Sequence, residues 1–457
     1  MDKIEHALAL KEAKFDINEL FFSITDQAST ILSGNDVFVR ISGYSREELI
    51  GQFHNIIRHP NMPRIIFKTL WSYLQEGKPI VAFVKNKTKE GGFYWVLAAV
   101  FPLDNRYVSI RVKPHTKLFV LARDLYRKLL IAEANGGMDE SGKVLSELLI
   151  KHGYENYDSF MNDALLLELR ERQSIIPKNT INDEYEVSSA YVQKLRVVHG
   201  YSKELMSQYD AWFEKIDLFT QVKSMFEEKG LKLRELARDI VFLSLNASVS
   251  SYKVESGGET FGVLARDIRF NAKENEALIT HIDKIVRKLS EALNEIVFSV
   301  ASMRLQIEMV TYFIKEVTSQ KCEIRITELI GNISDLIALV DQYSEKSKQV
   351  QVELDQQIHE ALKNLDQLEQ QMMYLGYIQI YGIIEAAASQ DESVRFGVIF
   401  NQLKSLVQET SQELEIMQKM GEKFSTENCR MIEKSTEIDM QLRRLIEEIN
   451  SMKQMEV

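Results

Sequence analysis

Apolar residues recur along the second half of this chain in alternating steps of four and three. Ile282, Val286, Leu289, Leu293, Ile296, Val300, Met303, Ile307, Val310, Ile314 and Val317 keep that step without exception. A similar run joins Leu329, Ile333, Leu336, Val340 and Tyr343, then Val350 and Leu354. A repeat near 3.5 gathers these positions into one narrow stripe along a helix, the seam of a coiled coil or a long bundle. The first part of the chain follows another rule. FFSIT and STILSG read as two short strands with a turn around Gln27, and a helix is expected from Asn35 through Ile41. Ser45-Arg46-Glu47-Glu48 is a capping box ahead of Leu49, hydroxyl and carboxylate each satisfying a backbone donor. A further helix is expected from about Pro63 to Glu76, ended by Gly77. PIVAFVKN, FYWVLAAVFP and YVSIRVKP are strand-like runs with hairpin turns at Gly91-Gly92 and Asp104-Asn105 between them.

Proline sets the domain boundaries. Pro60, Pro63, Pro79, Pro102 and Pro114 lie in the first region, Pro177 is the sixth, and none follows it. Proline costs about 3 kcal/mol inside a helix, so its absence permits very long ones. The expected organisation is an N-terminal helical extension over 1–19, an α+β domain over 20–115 and a helical connector over 116–185. Gly136-Gly137 and Gly153 interrupt that connector.

The helical half also repeats itself. LSLNASVSSYKVESGGETFGVLARDI begins at Leu243 and IQIYGIIEAAASQDESVRFGVIFNQL at Ile378, and in both a Phe-Gly-Val follows eighteen positions on, at Phe261 and Phe396. The period is therefore 135 residues. Each segment is an apolar helix end, a polar turn and an apolar restart, as at the tip of a helical hairpin. Two tandem hairpins are expected, 186–321 with a tip near 250–258 and 322–457 with a tip near 388–393. Their four helices of about 60 residues, each about 90 Å long at 1.5 Å per residue, would close an antiparallel four-helix bundle from one chain.

Composition narrows the function. Hydrophobic content of 45% with 27% charge describes a folding, soluble chain. No apolar run is long enough for a membrane span, and MDKIEHALALKEAKFD lacks the core of a signal peptide. Two distant cysteines, Cys322 and Cys429, fit reduced thiols and a cytoplasmic setting. A net charge of -11 argues against nonspecific binding to nucleic acid. No phosphate-binding loop, nucleophile elbow or zinc-protease motif occurs, so an enzyme is not expected. The stretch FHNIIRHPNMP, residues 53–63, concentrates polar and stiff residues. Its histidines, His54 and His59, are readable as metal or haem ligands or as turn and pocket-edge residues. No cysteine lies within the first 300 residues to join them. Arg58 has the rigid donor fork suited to a ligand phosphate, or to an ordinary ion pair. Trp71 sits mid-helix, where core packing and contact with a ligand ring are both open.

ASTILSGNDVFVRISGYSREELIGQFHNIIRHPNMP, FKTLW and VKNKTKEGGFYWV, taken together in that order, resemble a PAS domain of the bacterial aerotaxis-receptor type over residues 20–113. Domains of that type typically bind FAD non-covalently, with flavin redox state as the signal. The resemblance implies that Arg58, His59 and Trp71 support flavin binding and that Asn35 and Asn86 lie in the same pocket. Asn61 stands where the family usually carries Asp, a neutral amide in place of a charge-assisted acceptor. With no cysteine in the domain, a flavin–cysteine photoadduct is excluded. The helical half resembles, more distantly, the signalling hairpin of methyl-accepting chemotaxis proteins, whose tip holds a coupling protein and a histidine kinase. The first tip keeps Leu245, Asn246, Ala247 and Phe261 but has Ser250 and Lys253 where the family has Glu and Arg. The second keeps Ile384, Glu385, Ala386, Ala387 and Phe396 but has Tyr381 for Asn and Ala388 for Arg. Two tips in one chain imply an intramolecular pseudo-dimer. Asn246, Ser250, Lys253, Phe261, Tyr381, Glu385 and Phe396 are then the expected partner-binding residues. The expected function is a cytoplasmic transducer of redox state or a small ligand, in chemotaxis or energy taxis. Its alternative is a chemoreceptor-derived scaffold that no longer controls a kinase and binds another partner.

Overall fold

The structure, a computed structural model, describes residues 12–176, 190–252, 258–318, 326–388 and 393–455. They form two compact units, one of Met1–Phe213, Val297–Ser347 and Thr436–Val457 and the other of Glu214–Ile296 and Lys348–Ser435.

The first unit opens with an antiparallel sheet of β1 (Phe21–Asp26), β2 (Ile31–Gly34), β3 (Ile80–Lys87), β4 (Phe93–Leu103) and β5 (Arg106–Val112), in the order β2-β1-β5-β4-β3. Three α-helices, α1 (Asp36–Ser42), α2 (Arg46–Leu49) and α3 (Arg64–Gln75), and a short 3-10 helix, His54–Ile57, cross between β2 and β3. Asn35 is the N-cap of α1 rather than its first residue, and both halves of the capping box at Ser45 and Glu48 are made. Gly77, at φ 71°, ends α3, and Gly91, at φ 88°, turns β3 into β4, a backbone region that favours glycine.

Residues 12–19 are not helical, unlike the expected extension, whose residues 1–11 lie outside the described residues. β5 ends at Val112 opposite Leu97, which leaves the start of β4 unpaired on that side. Glu12 bridges Phe93 there, and Ala13 donates its N–H to the Phe93 carbonyl at 2.8 Å. A vacant backbone edge outweighs a locally helical pattern, because buried amide and carbonyl groups must be paired.

The connector is α4 (Lys117–Lys151) and α5 (Tyr157–Ile175). Gly137, at φ 73° and ψ -164°, breaks α4, and beyond it Ser141 bonds back to the Leu129 carbonyl. Both helices cover one face of the sheet. Phe83 meets the rings of Phe119 and Phe160 at 5.6 and 6.4 Å, while Tyr126 and Tyr157 donate hydroxyls to the Phe83 and Val81 carbonyls.

Four long helices follow: α6 (Ala190–Ser251), α7 (Gly258–Thr318), α8 (Ile326–Ala388) and α9 (Ser393–Gln454). Within the first unit, parts of α7 and α8 finish covering the same sheet face. Phe22 packs edge-on against Phe313 at 4.9 Å and Phe101 against Tyr343 at 5.7 Å. Arg106 makes a two-pronged ion pair with Asp335 at 2.8 and 3.0 Å. α7 is therefore buried beyond its seam: Phe298, Leu305, Met309 and Phe313 lie off the four-three stripe yet are at most 7% exposed.

The second unit is an antiparallel four-helix bundle. Lys215–Glu427, Lys229–Glu413 and Lys232–Glu409 pair α6 with α9, and their numbers run in opposite directions. Lys223–Asn294, Glu227–Ser290 and Arg234–Asp283 do the same for α6 and α7. Such exposed pairs contribute about 0–1 kcal/mol each, so they set register more than stability. The apolar seam supplies the core, with Ile282, Leu289, Leu293, Ile296 and Leu354 all at most 1% exposed. The repeat is visible in space. Phe261 and Phe396 stack on each other, centroids 4.0 Å apart and rings 8° from parallel. A Cβ at Gly382 would sit 2.2 Å from the Phe400 ring, whereas the positions 135 residues earlier are Ala247 and Ala265. The second hairpin has traded two small residues for a smaller and a larger one.

Candidate functional site

The other face of the sheet borders a cavity of about 300 Å³. Strand alternation puts Tyr107, Ser109 and Arg111 on that face and Val108, Ile110 and Val112 on the covered one. Ser23 lies opposite Ser109 in register and shares the cavity. Phe67, Leu70 and Trp71 of α3 form the facing wall, and Trp71 meets Tyr107 edge-on at 5.9 Å.

The stretch FHNIIRHPNMP rims this cavity. It is held by an Arg58–Asn86 bridge, by the His54 N–H donating to the Ser29 carbonyl at 2.8 Å, and by buried Met62 under β3. His54 and Arg58 line the cavity, and Phe53, 58% exposed, stands at its mouth. The Arg58 guanidinium lies 4.2 Å over the Phe67 ring, and burial, followed by Arg64, lowers its proton affinity.

Of the residues expected to hold a cofactor, Arg58, Trp71 and Asn86 line the cavity. Asn35, His59 and Asn61 do not. Asn35 accepts from the Phe22 and Phe38 N–H groups and donates to the Leu20 carbonyl, which ties β1 to α1. His59 accepts the Asn61 N–H on Nδ1 at 3.0 Å and packs edge-on against Phe93, so it shapes the turn. Burial first, then Lys85 and Lys87, push its pKa down to about 4, and it is neutral near pH 7. Asn61 is exposed. Among the described residues no group of three His, Cys, Asp or Glu could hold a metal ion.

Two residues carry the electrostatics of the cavity. Arg111 is only 4% exposed, and its Nη2 donates to Ser23 Oγ at 2.8 Å and lies 2.7 Å from His54 Nε2. Guanidinium has no acceptor, so Nε2 accepts and the ring proton sits on Nδ1. Burial, then the Arg111 charge, push the His54 pKa down to about 3, while burial lowers Arg111 to about 10. Among the described residues Arg111 has no ion-pair partner, and its Nη1 makes no hydrogen bond. Ser109 Oγ is likewise buried without a partner. Two polar atoms without partners in one cavity are a chemical demand, because each unmade buried bond costs about 1–3 kcal/mol. The signal for Arg111 was present in YVSIRV: a charge at alternate spacing inside a strand otherwise buried.

The expected tip residues divide. Asn246 and Tyr381 are exposed, Ser250 and Glu385 are half-buried, and Lys253 lies outside the described residues. Phe261 and Phe396 are buried on each other, so they join the hairpins and present no surface to a partner. What each hairpin does present is an exposed apolar face at equivalent positions. Phe242, Leu245 and Val249 are 64%, 38% and 57% exposed, and Tyr377, Ile380 and Ile384, 135 positions on, are 71%, 56% and 59% exposed.

Comparison with known proteins agrees with this geometry. Residues 31–112 match the family described as PAS fold. The aerotaxis receptor of Escherichia coli (strain K12) is 36% identical over 137 residues, which cover 29% of this chain and 26% of that protein. The nitrogen fixation regulatory protein of Klebsiella oxytoca is 30% identical over 83 residues, 18% of this chain and 17% of that protein. The chain thus spans about a quarter or less of these relatives. Among solved structures, the LOV domain of the Erythrobacter litoralis EL346 blue-light activated histidine kinase aligns at 18% identity and a TM-score of 0.20, over 20% of this chain and 94% of that one. The light-state Aureochrome1 LOV domain aligns at 20% identity and a TM-score of 0.21, over 26% and 94%. No helix among the described residues is long and apolar enough to cross a membrane. The sheet, its crossing helices and the cavity between them are accordingly a PAS domain, similar in sequence to that of the aerotaxis receptor.

Proposed function

We propose that this chain is a cytoplasmic signal transducer, not a catalyst. Its PAS cavity takes up a planar ligand with a polar edge, a flavin and specifically FAD. The observation that carries this reading is the pair of partnerless buried atoms, Arg111 Nη1 and Ser109 Oγ, in a cavity walled by Trp71 and Phe67. These residues fit such a group: a flat ring between aromatic and aliphatic walls, its carbonyl edge meeting buried donors. Arg58 at the rim, with Arg64 close by, suits an anionic tail. Bound flavin would supply reversible redox chemistry. The chain's own residues bind it, exclude water and hold a fixed positive charge beside it, so that a change in ligand charge alters the energy of the surrounding fold. A ligand shifts an equilibrium only as far as it binds one state better than the other. The output is a protein contact on the exposed faces around Phe242 and Tyr377, in the first instance with a chemotaxis coupling protein and its kinase.

The absorption spectrum of the purified chain tests this. The near-ultraviolet and blue bands of a flavin, present on purification or after reconstitution with FAD, are expected. A Soret band, or a colourless protein that reconstitution leaves colourless, would overturn the flavin assignment. A second reading, a scaffold that binds a different partner, is favoured by Ser250, Lys253, Tyr381 and Ala388 at the tips. Capture of neither coupling protein nor kinase by the full chain would select it.

A further inference from the structure

α5 carries two ionisable side chains one turn apart that are almost wholly enclosed, Glu168 at 1% and Arg172 at 3% exposure. They face different elements. The Glu168 carboxylate accepts the His115 N–H at 2.6 Å, the Thr116 N–H at 3.0 Å and the Thr116 hydroxyl at 2.7 Å. It therefore grips the chain where it leaves β5 and enters α4, four residues after the cavity's Arg111, in place of a cap from Thr116 itself. The Arg172 guanidinium reaches the other way. Its Nε and Nη2 bind the Glu308 carboxylate of α7 at 2.9 and 2.8 Å, and Nη2 also donates to the Asn18 carbonyl. Glu308 is shared with Arg304, which bonds Asp210 of α6 at 2.7 Å. Charged groups are costly to bury, and a hydrophobic turn of α5 would pack the same space. What carboxylate and guanidinium add is directional attachment: each holds a specific partner at fixed distance, and α5 between them is a rigid rod.

We propose that Glu168 and Arg172 are a latch through which the state of the PAS cavity reaches α7. Glu168 fixes the exit of β5 to α5, and Arg172 fixes α5 to α7. A displacement of β5 is thereby transmitted to the helix without passing through the sheet contacts at Phe22 and Phe101. This regulation rests on the cavity being a ligand site, and its test separates the two.

The test is amide hydrogen exchange over residues 297–314 of the full chain under two perturbations of the cavity. One is FAD. The other is Ala98→Leu, which fills the cavity wall with no ligand present; Ala98 is 4% exposed and lines the cavity. Each is expected to change exchange in α7 by about fivefold or more. Glu168→Gln and the milder Thr116→Val, which removes one hydrogen bond and keeps the charges, are expected to leave FAD affinity within about twofold and to diminish the response in α7, Glu168→Gln the more. Circular dichroism confirms that the variants are folded. If FAD fails to bind while the Ala98→Leu response still depends on Glu168 and Thr116, the flavin reading falls and the latch stands. An undiminished response in both variants, or no response to Ala98→Leu in the unaltered latch, would overturn it.

Discussion

The two faces of one sheet follow opposite rules. On the covered face, Phe22, Phe83 and Phe101 are fully buried against rings from α4, α5, α7 and α8, and the Phe83 and Val81 carbonyls are met by tyrosine hydroxyls. On the cavity face, Ser109 and Arg111 are just as buried but incompletely bonded. One face is finished by the chain itself; the other is left to be finished by something else. Stability therefore lives on the first and the proposed ligand recognition on the second.

The largest expected effect breaks the covered face. Phe101→Ala removes a ring packed against Tyr343 and leaves a void that the surrounding helices only partly fill. Its cost is about 3–5 kcal/mol, read as a lower denaturant midpoint. On the cavity face, Arg111→Met is expected to separate the two properties. Relief of a buried cation that lacks a counter-ion offsets the loss of its bonds to Ser23 and His54, so unliganded stability changes by less than about 2 kcal/mol. FAD affinity falls about 10- to 100-fold, the loss of a charged hydrogen bond. Equal losses in both quantities, by calorimetry and titration, would erase the distinction between the faces.

That distinction was only partly legible in the sequence. The strands and turns were legible because Val, Ile and aromatic runs stood between Gly91-Gly92 and Asp104-Asn105. The bundle was legible because the four-three seam tolerates no exception. Arg58, Trp71 and Asn86 were singled out and do line the cavity. Arg111 is not among them, because a strand-like run such as YVSIRV does not by itself tell which face meets a cavity. The connector resisted reading for another reason: its partners, the Phe83 ring and the Val81 carbonyl, lie about 40–80 positions upstream, and no local pattern encodes them. Residues 12–19 failed the same way, since the unpaired start of β4 at Phe93 decides their conformation. The off-seam burial of Phe298, Leu305 and Met309 was foreshadowed by a stretch around Arg304 and Glu308 with few other charges.

Acid sharpens the comparison next, because His54 in the cavity and His59 in the turn at its rim are both held neutral. His54 is held near 3 and His59 near 4 in the folded chain, against about 6.5 when unfolded. Between those limits the unfolded chain binds more protons, so stability rises with pH and is lost as pH falls below about 6.5. The slope approaches about 1.4 kcal/mol per pH unit for each histidine. His54→Gln, which can still accept from Arg111, is expected to remove one histidine's share of that slope. An unchanged profile in urea titrations at pH values from neutral to mildly acidic would place the His54 ring in contact with solvent.

The smallest effect probes how completely the covered face is finished. Tyr126 is 4% exposed and donates its hydroxyl to the Phe83 carbonyl at 2.8 Å, from the side of α4 that also meets Trp95 at 6.1 Å. Phe83 is in register with Leu97 of β4, and β3 is the last strand of the sheet. An edge strand normally leaves its outward carbonyls to water. Here the buried Tyr126 hydroxyl takes that role. Tyr126→Phe keeps the ring and its packing and removes one oxygen. The expected loss is about 1 kcal/mol, between the net value of a neutral hydrogen bond and the cost of an orphaned carbonyl. Infrared spectroscopy of the variant with a labelled Phe83 carbonyl distinguishes the two: a shift toward the frequency of a free amide marks an orphaned group, whereas an unshifted band means that water reaches this edge. In the second case the stability loss vanishes, and the covered face is less closed than its aromatic packing implies.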